Sequence, residues 1–600
     1  MKIKKVLRYQ LIIPSILLSI VLIFTGAREI SKSYKHFKNI SSQKNEAEQG
    51  MKNDFNVSVK KNLENISGKA DSEGMWSPVI PWGLVASNAM LLPDGKVLSY
   101  GSPKFDRLDE EVIPYGNEAQ GGVDYDLWNQ SEGYNLNAHY IFEKPLFYNS
   151  FCNVQLLHGN EILFVGGQKF KDANGPQSIN DTAKVNLKEL SKVNVKDKEN
   201  KPNSEIFKLS YQLNYQRYYA SITKNLNDEF VVYGGSDENF FPSTIPESLI
   251  NDQWVVLKNA ESEEAFGSQF YKWWYPKTFI TPNHKVFGIS TDTVWLHDHN
   301  NSDSEIKILG KLDIKRSFGN FVSKQDEEKH IKYGNSSTAI YYDNNKIILL
   351  GGGSISANPG YHGRASDEVS IFEIKEDDFT VRRTTNLLYP RNWSMATLLA
   401  DGKVFVNGGS LVGSIKGHVN ESEIWNPNDE KWYFAAKANK DRSYHQTALL
   451  LPDGSVLTIG SGIAGETPNQ YNGEIYYPPY FFERNWENKI VLSKRPIIKN
   501  IESVNKTKLN LTFESERGIE GANFIALGNV THGHNYASKV IKFDNDEISF
   551  INENSLEIDI KNLSLGEVAD GYYMIFLLDK KNFPSIAKIV KIVKKNIILF

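Results

Sequence analysis

The chain has 600 residues, a formal net charge of −4, 12% aromatic residues and a single cysteine, Cys152. The length admits several domains or one long repeat array, and the near-balanced charge gives nucleic acid no electrostatic footing as a partner. One thiol excludes an intrachain disulfide, and abundant Tyr, Phe and Trp suit a β-rich protein.

Lys2, Lys4, Lys5 and Arg8 precede an apolar run over 11–24, and Thr25, Gly26 and Ala27 then supply small residues. This pattern predicts export, with residues 1–28 a signal peptide or a membrane anchor. The run is shorter than the ~20 residues of a spanning helix. Arg28, Lys32, Lys35 and Lys38 behind it oppose translocation under the positive-inside rule. The two outcomes, a secreted protein and one held at the membrane by an uncleaved segment, both stay open. Residues 29–73 are polar and rich in Lys, Asn and Ser, the composition of a stalk.

From Met75 one unit recurs: a short apolar stretch, a polar turn, an apolar strand, then glycine. It occupies 90–101, 154–167, 220–235, 279–288, 339–352, 396–409 and 447–460. The spacing is irregular, roughly 50 to 70 residues, near the kelch period of about 50. A hairpin cannot bury both of its apolar faces alone; radial packing of such sheets does so and leaves only short edges. The prediction is an all-β chain with a seven-bladed kelch-type β-propeller over 74–490. Residues 491–600 alternate apolar and polar in short strands, as in 509–513, 548–551 and 571–578, and predict an immunoglobulin-like β-sandwich. No long amphipathic helix is evident.

The residues with chemistry sit at equivalent places, just before or at the start of the first strand of a unit. Blade two has Phe151-Cys152, blade three Gln216-Arg217-Tyr218-Tyr219, and blade seven Tyr444-His445. Each alone reads as an ordinary core residue; a lone Cys is usually a small buried hydrophobe. Equivalent strand starts in a propeller lie at one end of the central channel, so these side chains can converge from distant parts of the sequence.

In these residues the chain resembles the galactose oxidase/glyoxal oxidase family of copper-radical oxidases, from about Met75 to the C-terminus. Arg495-Pro496, Val530-Thr531-His532, the run 571–576 and the run 583–587 extend the resemblance into the C-terminal part. The carbohydrate-binding module that precedes the propeller in some members is replaced here by the stalk. The resemblance implies a one-electron cofactor made by a thioether between Cys152 and Tyr219. It implies copper held by Tyr219, Tyr444, His445 and His532, with Tyr444 accepting the substrate proton. It also implies that the loop carrying His532 reaches from the sandwich up the propeller channel. Nitrogen and oxygen donors in such a set suit Cu(II), and the protein's part is to hold the cofactor and exclude side reactions. The implied reaction oxidises a small aldehyde or a primary alcohol, including the end of a carbohydrate, with O2 and yields H2O2. A monomer is expected.

The pattern departs from the family after Gly234-Gly235, where a Trp stacks over the thioether and this chain has Ser236-Asp237. Phe240, Phe241, Trp273 or Trp274 is expected to supply the ring. Phe240, Phe241 and Trp393 are expected to line the substrate pocket. His534 shares a face with His532 if the segment is a strand, and is expected either just behind the ligands of the site or at the surface. Arg217 either orients Tyr219 or pairs with a carboxylate. His297 and His299, beside Asp298, Asn300 and Asn301, read as part of a solvated loop. The rival reading is a catalytically inactive kelch propeller that binds glycans or organises the cell envelope. A sialidase-type glycosidase is disfavoured, since its Ser-x-Asp-x-Gly-x-Thr-Trp turns are missing. Gly351-Gly352-Gly353 lacks the Gly-Lys-Ser/Thr of a phosphate-binding loop.

Overall fold

Among the described residues the repeats fold as seven antiparallel blades, each four strand positions deep and running outward from an innermost strand, with two short strands sharing the outermost position of blade seven. Those inner strands are Asn88–Leu91, Val154–His158, Tyr218–Lys224, Lys277–Ile280, Thr338–Asp343, Met395–Leu398 and Gln446–Leu450. This computed structural model describes residues 63–105, 123–146, 148–169, 179–199, 202–316, 330–354, 363–414, 416–462, 468–564 and 566–599. The expected signal or anchor segment and the stalk up to residue 62 lie outside them. Among the described residues no helix is long and apolar enough to cross a membrane.

The Asp-Gly turns join first to second strands with glycine at φ +82° (Gly95), +84° (Gly402) and +87° (Gly454), a conformation open to glycine at little cost. The ring closes without a covalent link. The outer edge of blade seven is supplied by Met75–Trp76 and Ile80–Pro81, paired with Asn472–Tyr477. The end of the expected stalk is tied to the same seam. Ala70–Glu73 forms a short helix with Ala70 buried, Ala436 and Tyr476 donate to the Glu73 carbonyl, and Asp71 pairs with Arg484.

The C-terminal part is a sandwich of a four-stranded and a five-stranded sheet around Leu511, Phe524, Leu556 and Ile575. It caps the propeller face where the blade turns lie. Asn523 and Asn582 donate to the carbonyls of Ala400 and Asp401, and Arg495 bridges the carbonyls of Asp453, Pro584 and Ser585. From it a hairpin enters the channel. Asn529–Thr531 pairs with the inner strand of blade one, and His534 pairs with Ala339 on the inner strand of blade five. Blades one and five and the hairpin thus form one ten-stranded sheet.

Three blades carry the same buried clamp. Arg217, Arg391 and Arg442 each donate through Nη1, at 2.7 Å, to a glycine carbonyl near the end of the second strand of their own blade: Gly234, Gly408 and Gly460. Each meets a buried glutamate of the third strand, Glu247, Glu423 or Glu474. The residue two positions on is in every case a ring at the mouth of the channel: Tyr219, Trp393 and Tyr444. Arg217 therefore pairs with a carboxylate and fixes the backbone from which Tyr219 projects. Removing one member of a buried pair leaves the other charge uncompensated, at a cost of about 3–5 kcal/mol. Arg217→Met is accordingly expected to lower unfolding stability by that amount in urea titrations, with Glu247 the charge left behind.

His297 and His299 are buried, not part of a solvated loop. His297 ends the strand Thr293–His297 and shares a hydrogen bond with the Tyr233 hydroxyl at 2.9 Å. His299 donates to the Lys224 carbonyl at 2.9 Å and stacks on His284. Asp298, Asn300 and Asn301 belong to the turn around them, and their polarity hid the burial. Burial pushes His297 down to about 4 and His299 down to about 3, against about 6.5 in an unfolded chain. Between these values the unfolded state binds more protons than the native one. The stabilisation is therefore complete above about pH 6.5 and is lost as pH falls, at up to about 2.7 kcal/mol per pH unit for the two groups. Urea midpoints measured from pH 7.5 to pH 5 are expected to fall, and His299→Gln to fall less steeply.

Candidate metal centre

The mouth of the channel gathers side chains from blades two, three and seven and from the inserted hairpin. All are buried: Cys152 0%, Tyr219 6%, Tyr444 4%, His445 4% and His532 4% exposed. The ligand atoms of Cys152, His445 and His532 lie within 4.8 Å of one another. The Tyr219 and Tyr444 hydroxyls are 2.9 Å apart, and the Cys152 sulfur is 3.5 Å from His532 Nε2. The thiol also interacts with the hydroxyls of Tyr218 and Tyr219, and Tyr219 N donates to the Cys152 carbonyl.

The backbone is bent to achieve this. Cys152, Tyr219, His445 and His532 all have left-handed φ, at 54°, 63°, 65° and 49°. Such conformations disfavour side chains with a Cβ, persist where surrounding structure fixes them, and concentrate at functional sites. At His532 the cause is plain. Thr531 pairs with His534, so residues 532 and 533 are the two central residues of the hairpin turn. Both have positive φ, 49° and 79°, as a type I′ turn requires.

Hydrogen bonds fix the tautomers of both imidazoles. His445 Nδ1 faces the Gly462 carbonyl at 2.8 Å, an acceptor only, so it carries the proton. Thr531 gives its hydroxyl proton to the Ser87 carbonyl and accepts from His532 Nδ1 at 2.6 Å. Both rings therefore present a bare Nε2 lone pair to the cluster, and His445 Nε2 has no protein partner. Such outer hydrogen bonds orient metal-binding histidines. Burial pushes His445 down to about 4 and His532 well below the usual histidine range, with neighbouring His445 adding to the second shift. It raises Cys152 to about 12 and holds Tyr219 and Tyr444 well above the usual phenol range. Two neutral imidazoles with bare Nε2 lone pairs and two phenol oxygens are a donor set that fits a divalent metal with preference for nitrogen and oxygen.

Trp274 supplies the stacked ring, lying on Tyr219 at 4.2 Å and 28°. Trp273 stacks behind it at 5.4 Å. Phe240 and Phe241 do not stack on Tyr219. They sit at 53% and 68% exposure in the connection between the second and third strands of blade three, where Phe240 reaches Tyr218 and Trp273 only at 6.2 Å. Trp393 stands edge-on to Tyr444 at 4.8 Å and 6.4 Å from Trp274. His534 is not beside His532. The turn sends it away from the cluster, toward Tyr536 at 4.5 Å and Phe279 at 5.8 Å. Sequence reasoning passed over Gly462 and Thr531, which fix the tautomers. It also missed the repeat of Arg-x-ring followed by Glu 30 to 32 residues later, a signal present in the sequence.

Fold and site define a propeller-borne metal centre completed by a second domain, with a sulfur and two phenols at one point. Residues 495–592 match the galactose oxidase-like Early set domain. Galactose oxidase of Gibberella zeae is 24% identical over 549 residues, 86% of this chain and 70% of that protein. An aldehyde oxidase, GLOX, of Vitis pseudoreticulata is 21% identical over 88% of this chain and 99% of its own. A fungal alcohol oxidase solved in complex with copper shares the fold at TM-score 0.66 and 18% identity, over 88% of this chain and 99% of that one. The C-terminal part thus carries a galactose oxidase-like domain, and over most of its length the chain is similar to galactose oxidase and aldehyde oxidase relatives.

Proposed function

We propose that the protein is a copper-dependent oxidase that turns a primary alcohol, or a small aldehyde as its hydrate, into the aldehyde or acid while reducing O2 to H2O2. The observation that carries this reading is the convergence of Cys152, Tyr219, Tyr444, His445 and His532 on one buried point. The relatives' names, galactose oxidase and aldehyde oxidase, support the same class.

His445 and His532 would hold copper through Nε2, and Tyr219 and Tyr444 through their phenol oxygens. When bound, copper supplies a one-electron couple and a site for the substrate oxygen. The other chemistry belongs to the chain. Substrate gives up two electrons and two protons, and O2 takes both pairs. Tyr444, with its oxygen 2.9 Å from that of Tyr219, would accept the hydroxyl proton as the phenolate, its own proton having been displaced when copper is bound. Tyr219, once joined through an ortho carbon to the Cys152 sulfur and oxidised by one electron, would serve as the second one-electron site and take a hydrogen atom from the substrate carbon. Trp274 covers its face and keeps water off it. Trp393, against Tyr444, forms an aromatic wall of the pocket. The charge pattern of residues 1–28 supports export, so the reaction is placed outside the cytoplasm.

The test is peroxide release and oxygen uptake by the copper-loaded full chain over glyoxal, glycolaldehyde, galactose and aliphatic or benzylic alcohols. Turnover of any class with equal peroxide and product supports the reading. Copper bound at one equivalent with no turnover of any of them would favour the inactive, glycan-binding propeller.

A further inference from the structure

Below the hairpin turn the chain runs through Tyr536, Ser538 and Lys539 between the propeller and the sandwich, where it lines a cavity of about 100 Å³. Lys539 is 7% exposed. Its Nζ has no hydrogen-bond partner and touches only one ring face, that of Tyr341 at 4.5 Å. Thr278 Oγ1 and His284 Nδ1 line the same cavity, are buried, and also have no partner. Ser538 accepts from Tyr341 N at 3.0 Å, which leaves its own hydroxyl proton to donate. The one carboxylate lining the cavity, Asp570, is already engaged by Lys224 at 3.5 Å and by Lys594 N at 2.6 Å.

A buried cation without a partner costs several kcal/mol unless it loses its charge or gains a counter-ion. Here the wall offers an ammonium and at least two hydroxyl donors, while among the described lining residues its one anionic group is occupied. The volume exceeds the ~10–15 Å³ that one water needs. We propose that this cavity is a binding site for a small inorganic anion, of the size and charge of chloride, held by Lys539, Ser538 and Thr278. Such an ion joins the foot of the hairpin to blade four and so steadies the turn that carries His532. Burial pushes Lys539 down to about 7 even against the opposing charge of Glu567, whose carboxylate is taken up by Ser564 N and Asn345, so an occupying anion would also keep the lysine charged at neutral pH. The site is independent of the oxidase reading.

The test uses the full chain, with and without copper. Crystals soaked in sodium bromide are expected to show an anomalous peak in contact with Lys539 Nζ. At fixed ionic strength, sodium chloride is expected to raise Tm by about 2 °C over sodium gluconate, whose anion is too large for the cavity. Lys539→Met should abolish both the peak and the chloride response. Thr278→Val, a milder change, should shift the response to higher chloride. Bromide found only at exposed lysines would overturn the proposal and leave a neutral amine among waters. So would an equal chloride response in wild type and in both variants.

Discussion

Cys152→Ser is expected to leave copper binding in place and to cut peroxide formation by ~10³-fold or more, the scale on which removing one member of a group that acts as a unit operates. The sulfur sits fully buried beside the Tyr219 and Tyr218 hydroxyls, and serine fits the same space. Burial raises the thiol to about 12, and a thiol that stays protonated is a poor nucleophile. Attachment to the Tyr219 ring requires oxidation in any case, because a C–H bond of the ring is replaced by a C–S bond. The S–H and an ortho C–H bond break, one C–S bond forms, and two electrons and two protons pass to O2 as H2O2. Copper-loaded aerobic protein should thus be lighter by two hydrogen atoms than protein kept free of copper, and peptide mapping should join Cys152 to Tyr219. The serine variant should show neither change. An active wild-type enzyme with a free, alkylatable Cys152 would sink the mechanism.

The blades were legible because each rests on a local pattern, an apolar strand, an Asp-Gly or similar turn and a second apolar strand ending in glycine. The converging residues were legible because strand starts fall at one end of a channel, a consequence of topology alone. What escaped depends on backbone conformation that no periodicity encodes. Four aromatic rings competed for the place over Tyr219. Trp274 holds it because Phe270, Tyr271 and Tyr275 have φ of 55°, 52° and 42°, which folds the segment back until Tyr275 N donates to the Tyr219 carbonyl. A propensity argument assigns left-handed residues of that kind to glycine or asparagine, not to three aromatics. Polarity misled at His297 and His299, where asparagines serve buried turns. Asn225, 2% exposed, donates to the His299 carbonyl. Alternation misled at His532 and His534, since a strand would put both on one face and a two-residue turn does not.

That last difference separates two substitutions two residues apart. His532→Ala is expected to lower copper affinity by ~10²-fold or more, beyond the 10–100-fold typical of losing an outer-sphere partner of a ligand. Nε2 of His532 is one of two bare imidazole lone pairs at the centre, and Nδ1 is held by Thr531. No neighbouring side chain can replace it, because the turn fixes its direction and His534 points to Phe279 and Tyr536. His534→Met is expected to leave copper stoichiometry unchanged. Both of its ring nitrogens are buried without partners, so an apolar side chain of similar volume removes two unsatisfied groups and is neutral or mildly stabilising. Competition against a chelator of known affinity, with urea unfolding of the metal-free proteins alongside, distinguishes the cases. Copper loss in both variants with equal destabilisation would mean that the hairpin only braces the channel. Copper loss in His532→Ala alone, at unchanged stability, would make the hairpin tip a metal ligand delivered by the sandwich.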